Sequence, residues 1–376
     1  MMKYQINDVL RVAKRYNNAK RVYLLVDPLQ AKHMPISPTE AMDMMSVLGD
    51  KLAKNYPSAG LIVGFAETAT AIASVVAEFF PDCQYVQSTR EEFPDSERFL
   101  LFSEEHSHAV EQKLHAPTLE RAFLRAEEVI LLDDEISTGK TLINMVEQIR
   151  REVPGAENKR YISASIINRA TEENISKLLA AGIESEQTFK LDFGDYDEIA
   201  SRFNITPPTP AGSLEDVECN FVSKIVDFTK DPRLGVSIRE YSEECRSIAH
   251  NAADELSCLL AESRSVLVLG SEECMYPALV LGKEIEGRYP HVPVRCHATT
   301  RSPIGVSCEE GYPIVNGYEI HSLYDTERRN FIYNVAQYDT VIILSDAKDP
   351  NAVAVEELRR IFAHAGCKNF VLLNKG

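Results

Sequence analysis

The alternation of two hydrophobic periods restricts this chain most. Short apolar runs at Val22–Val26, Leu61–Val63, Val129–Leu132 and Ile162–Ile167 read as buried strands. Between them, Ile72, Val75, Val76 and Phe79 recur at the i, i+3, i+4, i+7 spacing of one helix face, and Leu142, Met145, Val146 and Ile149 repeat it. Strand alternating with helix predicts an α/β fold: a mainly parallel sheet with helices on both faces, because each parallel pair needs a crossover. The apolar runs are strand-sized and fall far short of the ~20 residues of a membrane-spanning helix. Met1–Leu10 is polar and has no secretory apolar core, so the chain is expected to be cytoplasmic, with no membrane partner.

A chain of 376 residues is comfortable as two domains. The stretch Ile205–Ser213 carries three prolines plus Gly212 and Ser213 and breaks every period, as a linker or exposed loop does. The boundary is therefore placed there, giving a first domain over 1–212, a linker over 213–236 and a second α/β domain over 237–376. The second half echoes the first. Leu61–Val63 runs into Gly64 with Glu67 three positions on, and Val266–Leu269 runs into Gly270 with Glu273 three positions on. Ser88-Thr89-Arg90 is matched by Thr299-Thr300-Arg301, and the run from Glu128 to Asp134 by the run from Thr340 to Asp346. A duplicated unit and the generic likeness of parallel α/β units both account for this echo.

The strongest chemical signal is Val129-Ile-Leu-Leu-Asp133-Asp134-Glu135-Ile-Ser137-Thr138-Gly139-Lys140-Thr141. An apolar strand delivers adjacent carboxylates at its C-terminal end, where open α/β sheets bind ligands. A hydroxyl-rich loop then opens a helix, whose N-terminal amides and dipole favour an anion. Gly139 lets the backbone approach closely, and Thr138 and Thr141 offer hydroxyls. Carboxylates for sugar hydroxyls and a loop for phosphate fit a sugar phosphate. Gly139-Lys140-Thr141 is not a P-loop, because that motif needs a glycine where Asp134 stands.

Forty Lys and Arg against 57 Asp and Glu give a net charge of −17, which opposes nucleic acid and anionic membranes as general partners. The eight cysteines form no CxxC pair, so reduced thiols are expected rather than a disulfide framework or a zinc site.

The central segment resembles the phosphoribosyl pyrophosphate (PRPP) motif of type I phosphoribosyltransferases: four apolar residues, two acids, then Thr-Gly-x-Thr. The resemblance implies that Asp133 and Asp134 contact the ribose hydroxyls, directly or through hydrated Mg²⁺, and that Ser137, Thr138, Gly139, Lys140 and Thr141 hold the 5′-phosphate. More narrowly, the chain resembles the two-domain phosphoribosyltransferase–TRSP family associated with tellurite-resistance gene clusters. The matching pieces are Thr300-Arg301-Ser302-Pro303, Lys32-His33-Met34-Pro35, Glu105-His106-Ser107-His108-Ala109, Tyr312-Pro313 and Tyr333-Asn334-Val335. The fold implied is a type I phosphoribosyltransferase-like sheet followed by an α/β TRSP domain.

The resemblance also implies that the loop Gly64-Phe65-Ala66-Glu67-Thr68 binds pyrophosphate through backbone amides, although Thr68 and Ala69 replace the family's usual glycine after the acid. Arg90 is placed to clamp pyrophosphate, or to sit solvated at the surface. Glu105, His106 and His108 lie in a long segment that suits a hood, as proton-transfer groups or as an ordinary helix start. In the second domain Glu273, Thr300, Arg301 and Ser302 mark the equivalent site, but Asp346-Ala-Lys-Asp-Pro350 lacks the PRPP grip. The expected reaction transfers phosphoribose from PRPP, with Mg²⁺ as cofactor, to a nitrogenous acceptor with release of pyrophosphate, in biosynthesis of a nucleotide- or nucleoside-like metabolite. The rival readings are a non-catalytic PRPP or nucleotide sensor and a scaffold for neighbouring biosynthetic enzymes. A homodimer or a complex with such enzymes would suit either.

Overall fold

The computed structural model describes residues 3–18, 22–94, 96–102, 112–192 and 194–376. Its residues divide into two compact units. One holds Met45–Gly194 with Thr229–Glu244, and the other holds Met1–Met44, Asp195–Phe228 and Cys245–Gly376.

The first unit is built on five parallel strands, β1 Ala59–Gly64, β2 Gln84–Gln87, β3 Glu128–Ile136, β4 Arg160–Asn168 and β5 Ile183–Lys190. Their order is β2-β1-β3-β4-β5, with the short strand Val236–Ser237 added antiparallel outside β2. The order reverses between β1 and β3, and a crevice opens at such a switch point beyond the carboxyl ends of the strands. Both faces of the centre are buried: Leu61, Val129 and Leu131 on one, Ile62, Ile130 and Leu132 on the other. Helix α1 Thr70–Ala77 follows β1, and α2 Lys140–Glu152 follows β3. The predicted stripe Leu142, Met145, Val146, Ile149 packs into one core with Leu61, Val63, Val129 and Leu131. Each such side chain contributes about 1.5–3 kcal/mol on burial.

The second unit repeats the plan. Strands β6 Asn220–Val226, β7 Val266–Gly270, β8 Val294–Ala298, β9 Thr340–Ser345 and β10 Asn369–Lys375 are all parallel, in the order β6-β10-β9-β7-β8. Helix α3 Tyr276–Arg288 links β7 to β8, and α4 Ala352–His364 links β9 to β10. Starting from β7, the chain goes first to one side and then to the other, as it does from β1. The α/β class with parallel sheets is thus seen in both halves.

Some local expectations are corrected. Val22–Val26 does not join a parallel sheet; Tyr23–Val26 pairs antiparallel with Arg11–Lys14, and its first two residues are only half-buried. Phe79 lies beyond the end of α1 and is 37% exposed, its ring lying over Gly49, where a Cβ would come within 2.5 Å of it. The stretch Ile205–Ser213 is tied down: Thr206 bridges Val306, and Thr209–Pro210 pairs with Tyr318–Glu319. Residues 213–236, read as a linker, contribute β6 to one sheet and Val236 to the edge of the other. Proline and glycine punctuate the chain there without freeing it, because strand partners distant in sequence capture the backbone.

Candidate active site

At the switch point of the first sheet, β1 ends in Gly64. A Cβ there would lie 2.5 Å from Ala73 of α1, so only glycine permits this strand–helix turn. The Phe65 N–H donates to Leu132 O at 3.0 Å and the Ala66 N–H to Ser88 Oγ at 2.8 Å. Two amides of the loop are therefore already committed within the protein. Thr70 Oγ1 donates to Glu67 O at 3.2 Å, closing the loop onto α1. From β2 the chain passes to Ser88, whose N–H donates to Gly64 O at 2.8 Å. Thr89 follows and exchanges backbone hydrogen bonds of 3.0 Å with Lys113. Arg90, next in the chain, is half-buried.

Across the switch point, β3 carries Asp133 and Asp134, both half-buried. Asp133 Oδ1 accepts the Asp134 N–H at 2.9 Å. Burial pushes the Asp133 carboxyl well above its usual range, and the neighbouring Asp134 charge pushes it further. Glu135, the third acid of the run, is engaged by Arg169. Gly139 then caps α2 in the left-handed region at φ 71°, and a Cβ there would come within 2.8 Å of Leu178. Having no side chain, Gly139 leaves the helix start without a cap of its own, although Thr138 Oγ1 accepts the Lys140 N–H at 3.3 Å. Thr138, Lys140 and Thr141 are exposed at this end.

A cavity lies here, lined by Phe65, Ser88, Phe102, Gln112, Asp133, Thr141, Leu142 and Met145. It brings Asp133 and Thr141 together with the residue after Gly64. The sequence does not mark Phe102 or Gln112 as lining residues, marks Leu142 and Met145 only as one face of a helix, and marks Ser88 only through the echo with Thr299. Glu105, His106 and His108 lie outside the described residues.

The second sheet carries a counterpart. Gly270 pairs with Leu344 and Ala298 as Gly64 pairs with Leu132 and Gln87, so Arg301 and Asp346 occupy the register of Arg90 and Asp134. The hydrogen bonds correspond too. The Glu272 N–H donates to Thr299 Oγ1 at 3.0 Å, as Ala66 does to Ser88, and Thr300 exchanges bonds with Phe331, as Thr89 does with Lys113. The side chains differ. Glu272 is fully buried, and Arg301 Nε donates to it at 2.8 Å. Glu273 lies 3.7 Å from the same guanidinium. Tyr324 Oη donates to Asp346 at 2.5 Å and shares a 2.7 Å bond with Ser271 Oγ. Asn351 caps α4 by accepting the Val353 N–H at 3.1 Å.

The motif pieces scattered through the sequence stitch this counterpart together. Lys32, fully buried, donates to Glu272 O at 3.0 Å and to Thr299 O at 2.9 Å. Tyr333 Oη donates to Ser302 O at 2.8 Å, and Asn334 Nδ2 to His33 O and Pro313 O at 3.0 Å. Thr300 Oγ1 accepts the Ser302 N–H at 3.2 Å, fixing the turn after Arg301.

Residues 9–193 match the family described as phosphoribosyl transferase, which makes this protein an enzyme of the phosphoribosyltransferase class. Residues 230–361 match the TRSP domain, which is described as C-terminal to that module, so the chain belongs to the two-domain phosphoribosyltransferase–TRSP family. Among solved structures it is similar to adenine phosphoribosyltransferase from Giardia lamblia, in complex with 9-deazaadenine, at 14% identity over 48% of this chain and 94% of that one, with a TM-score of 0.36. The enzyme from Leishmania donovani matches at 13% identity over 48% and 76%, with a TM-score of 0.36. That from Rhodothermus marinus matches at 15% over 50% and 96%, also with a TM-score of 0.36. No curated protein matches the chain. Among the described residues, no helix is long and apolar enough to cross a membrane.

Proposed function

We propose that the first sheet's switch point transfers the phosphoribosyl group of PRPP to a nitrogenous acceptor. The observation that carries this reading is the pairing of Asp133 and Asp134 at the end of β3 with a helix start left open by Gly139. The acids face the ribose hydroxyls, and the 138–141 loop takes the 5′-phosphate against the helix dipole. Pyrophosphate lies toward the loop after Gly64, with Arg90 as its cation. The acceptor nitrogen forms a bond to C1 as the bond from C1 to the pyrophosphate oxygen breaks, and the electron pair leaves with pyrophosphate. The cavity walls Phe65, Phe102, Leu142 and Met145 exclude water from the reacting carbon. Glu105, His106 and His108 are assigned to the hood.

Magnesium is the cation this chemistry implies. Two adjacent carboxylates, one with its acidity weakened by burial, ionise together most readily beside a cation, so the donor set fits. In this reading the ion is carried largely by PRPP and water next to Asp133 and Asp134. When bound, it would neutralise charge on the departing pyrophosphate.

We place this activity in the cytoplasm, in biosynthesis of a nucleotide- or nucleoside-like metabolite tied to tellurite-resistance gene clusters. The first 212 residues are assigned to PRPP, and residues 237–376 to the TRSP module, with Glu273, Thr300, Arg301 and Ser302 at its counterpart site. Incubation with PRPP, Mg²⁺ and a panel of bases tests the reading. Pyrophosphate release is expected with at least one base, and PRPP binding by calorimetry at one site per chain. Absence of PRPP binding refutes the reading.

A further inference from the structure

The cavity beside Asp133 contains a polar pair that the transfer reaction itself does not use. Ser88 is buried, and its hydroxyl oxygen accepts the Ala66 N–H at 2.8 Å. Its hydrogen goes to Gln112 Oε1 at 2.7 Å. This fixes the amide. Were Gln112 turned over, the buried Ser88 hydroxyl would lose its acceptor, an outcome that folded proteins avoid. Oε1 therefore faces Ser88, while Nε2 makes no hydrogen bond among the described residues. Gln112 is only half-buried and lines the cavity together with Asp133, Thr141 and the apolar Phe65, Phe102, Leu142 and Met145. A donor amide held in one orientation, beside the apolar walls of a cavity, is a recognition element.

We infer that Gln112 selects the acceptor, and that the acceptor is a planar heterocycle presenting an oxo oxygen to the Gln112 amide nitrogen. This inference rests on the phosphoribosyl-transfer reading of the same site. An exocyclic amine at that edge would set donor against donor and leave both unsatisfied. A site built around one hydrogen bond rejects the analogue that cannot make it far more strongly than an apolar pocket rejects a change of size. Ser88 bridges the Ala66 N–H of the loop after Gly64 and the Gln112 amide of the strand Gln112–His115, so acceptor recognition is coupled to the loop that takes pyrophosphate.

The test uses the full chain and two matched pairs of probes, hypoxanthine against adenine and uracil against cytosine. Each is measured for turnover with PRPP and Mg²⁺ and for binding with and without PRPP. In at least one pair the oxo member is expected to be preferred by about tenfold or more. Gln112→Glu, which replaces the donor with an acceptor, is expected to reverse that ranking. Ser88→Ala, which releases Oε1 and lets the amide turn, is expected to shrink the preference to about threefold or less. Preference for the amino member in the wild type, an unchanged ranking in Gln112→Glu, or no binding of any probe overturns the inference. Failure to bind PRPP overturns the transfer reading alone, because acceptor ranking in the absence of PRPP still decides the role of Gln112.

Discussion

The two sheets use one scaffold at two strand ends and leave those ends in opposite states. In the first, Asp133 Oδ1 accepts its neighbour's N–H, and the following helix starts at Gly139, which has no side chain to cap it. In the second, Asp346 is held by Tyr324, the arginine in the register of Arg90 is ion-paired to a buried glutamate, and the helix start is capped by Asn351. The backbone register and its hydrogen bonds are shared; what separates the two is whether the polar groups satisfy one another. A binding site needs unsatisfied groups held in place by satisfied ones, and the second sheet has converted nearly all of the former into the latter.

Exchanging both acids at the open end should have the largest effect. Asp133→Asn with Asp134→Asn is expected to lower pyrophosphate release by roughly a thousandfold or more with an unchanged circular dichroism spectrum. Activity near wild type would remove the distinction between the two ends. Next, Gly139→Val places a Cβ at a left-handed residue against Leu178. A loss of about 1–3 kcal/mol in stability is expected, with PRPP binding by calorimetry weakened in parallel. At the closed end, Tyr324→Phe is expected to cost about 1 kcal/mol by thermal denaturation and to leave PRPP stoichiometry unchanged. Asn351→Ala, which removes a cap, is expected to cost about 1 kcal/mol or less and to leave turnover untouched. If either change at the closed end altered PRPP affinity tenfold, the second site would have to be counted as part of the first.

Proton linkage sharpens the contrast. The Asp133 carboxyl is raised from an ordinary 3.8 in the folded protein, so the folded state binds the proton more tightly than the unfolded chain. Its contribution to stability is complete below that ordinary value and is lost as pH rises through the raised one. Ligand-free protein should therefore become less stable across that window, and Asp133→Asn should flatten the dependence. Thermal denaturation against pH, in wild type and variant, measures the difference.

Much of this was legible in the residues because it is local. The strand–acid–glycine–helix order of 128–152 follows from period and residue type, and the echo between Gly64 and Gly270 survives as an equivalence of register. The spacing from Arg to Asp in the two copies differs by a single residue, although the intervening loops share little sequence. What could not be read is non-local. Gln112 meets Ser88 across 24 positions, and Tyr324 meets Asp346 across 22. Neither contact has a periodic or compositional signature. The sequence singles out Glu273 and not Glu272, since nothing in it shows that both adjacent acids are buried or that Glu272 takes the Arg301 Nε bond. Tyr23–Val26 looked like a core strand because apolar content does not reveal its partner.

The two residues Val236 and Ser237 lie in sequence beyond the whole first sheet, yet they cover the outer edge of β2. A fragment ending at residue 212 would lose that covering strand and present a bare row of backbone donors and acceptors. Such a fragment should self-associate or precipitate even though every residue assigned to PRPP is present. Tailoring the N-terminal half for separate study therefore requires carrying the 229–244 segment along, for example by splicing it to residue 194, rather than simply trimming the chain at its prolines.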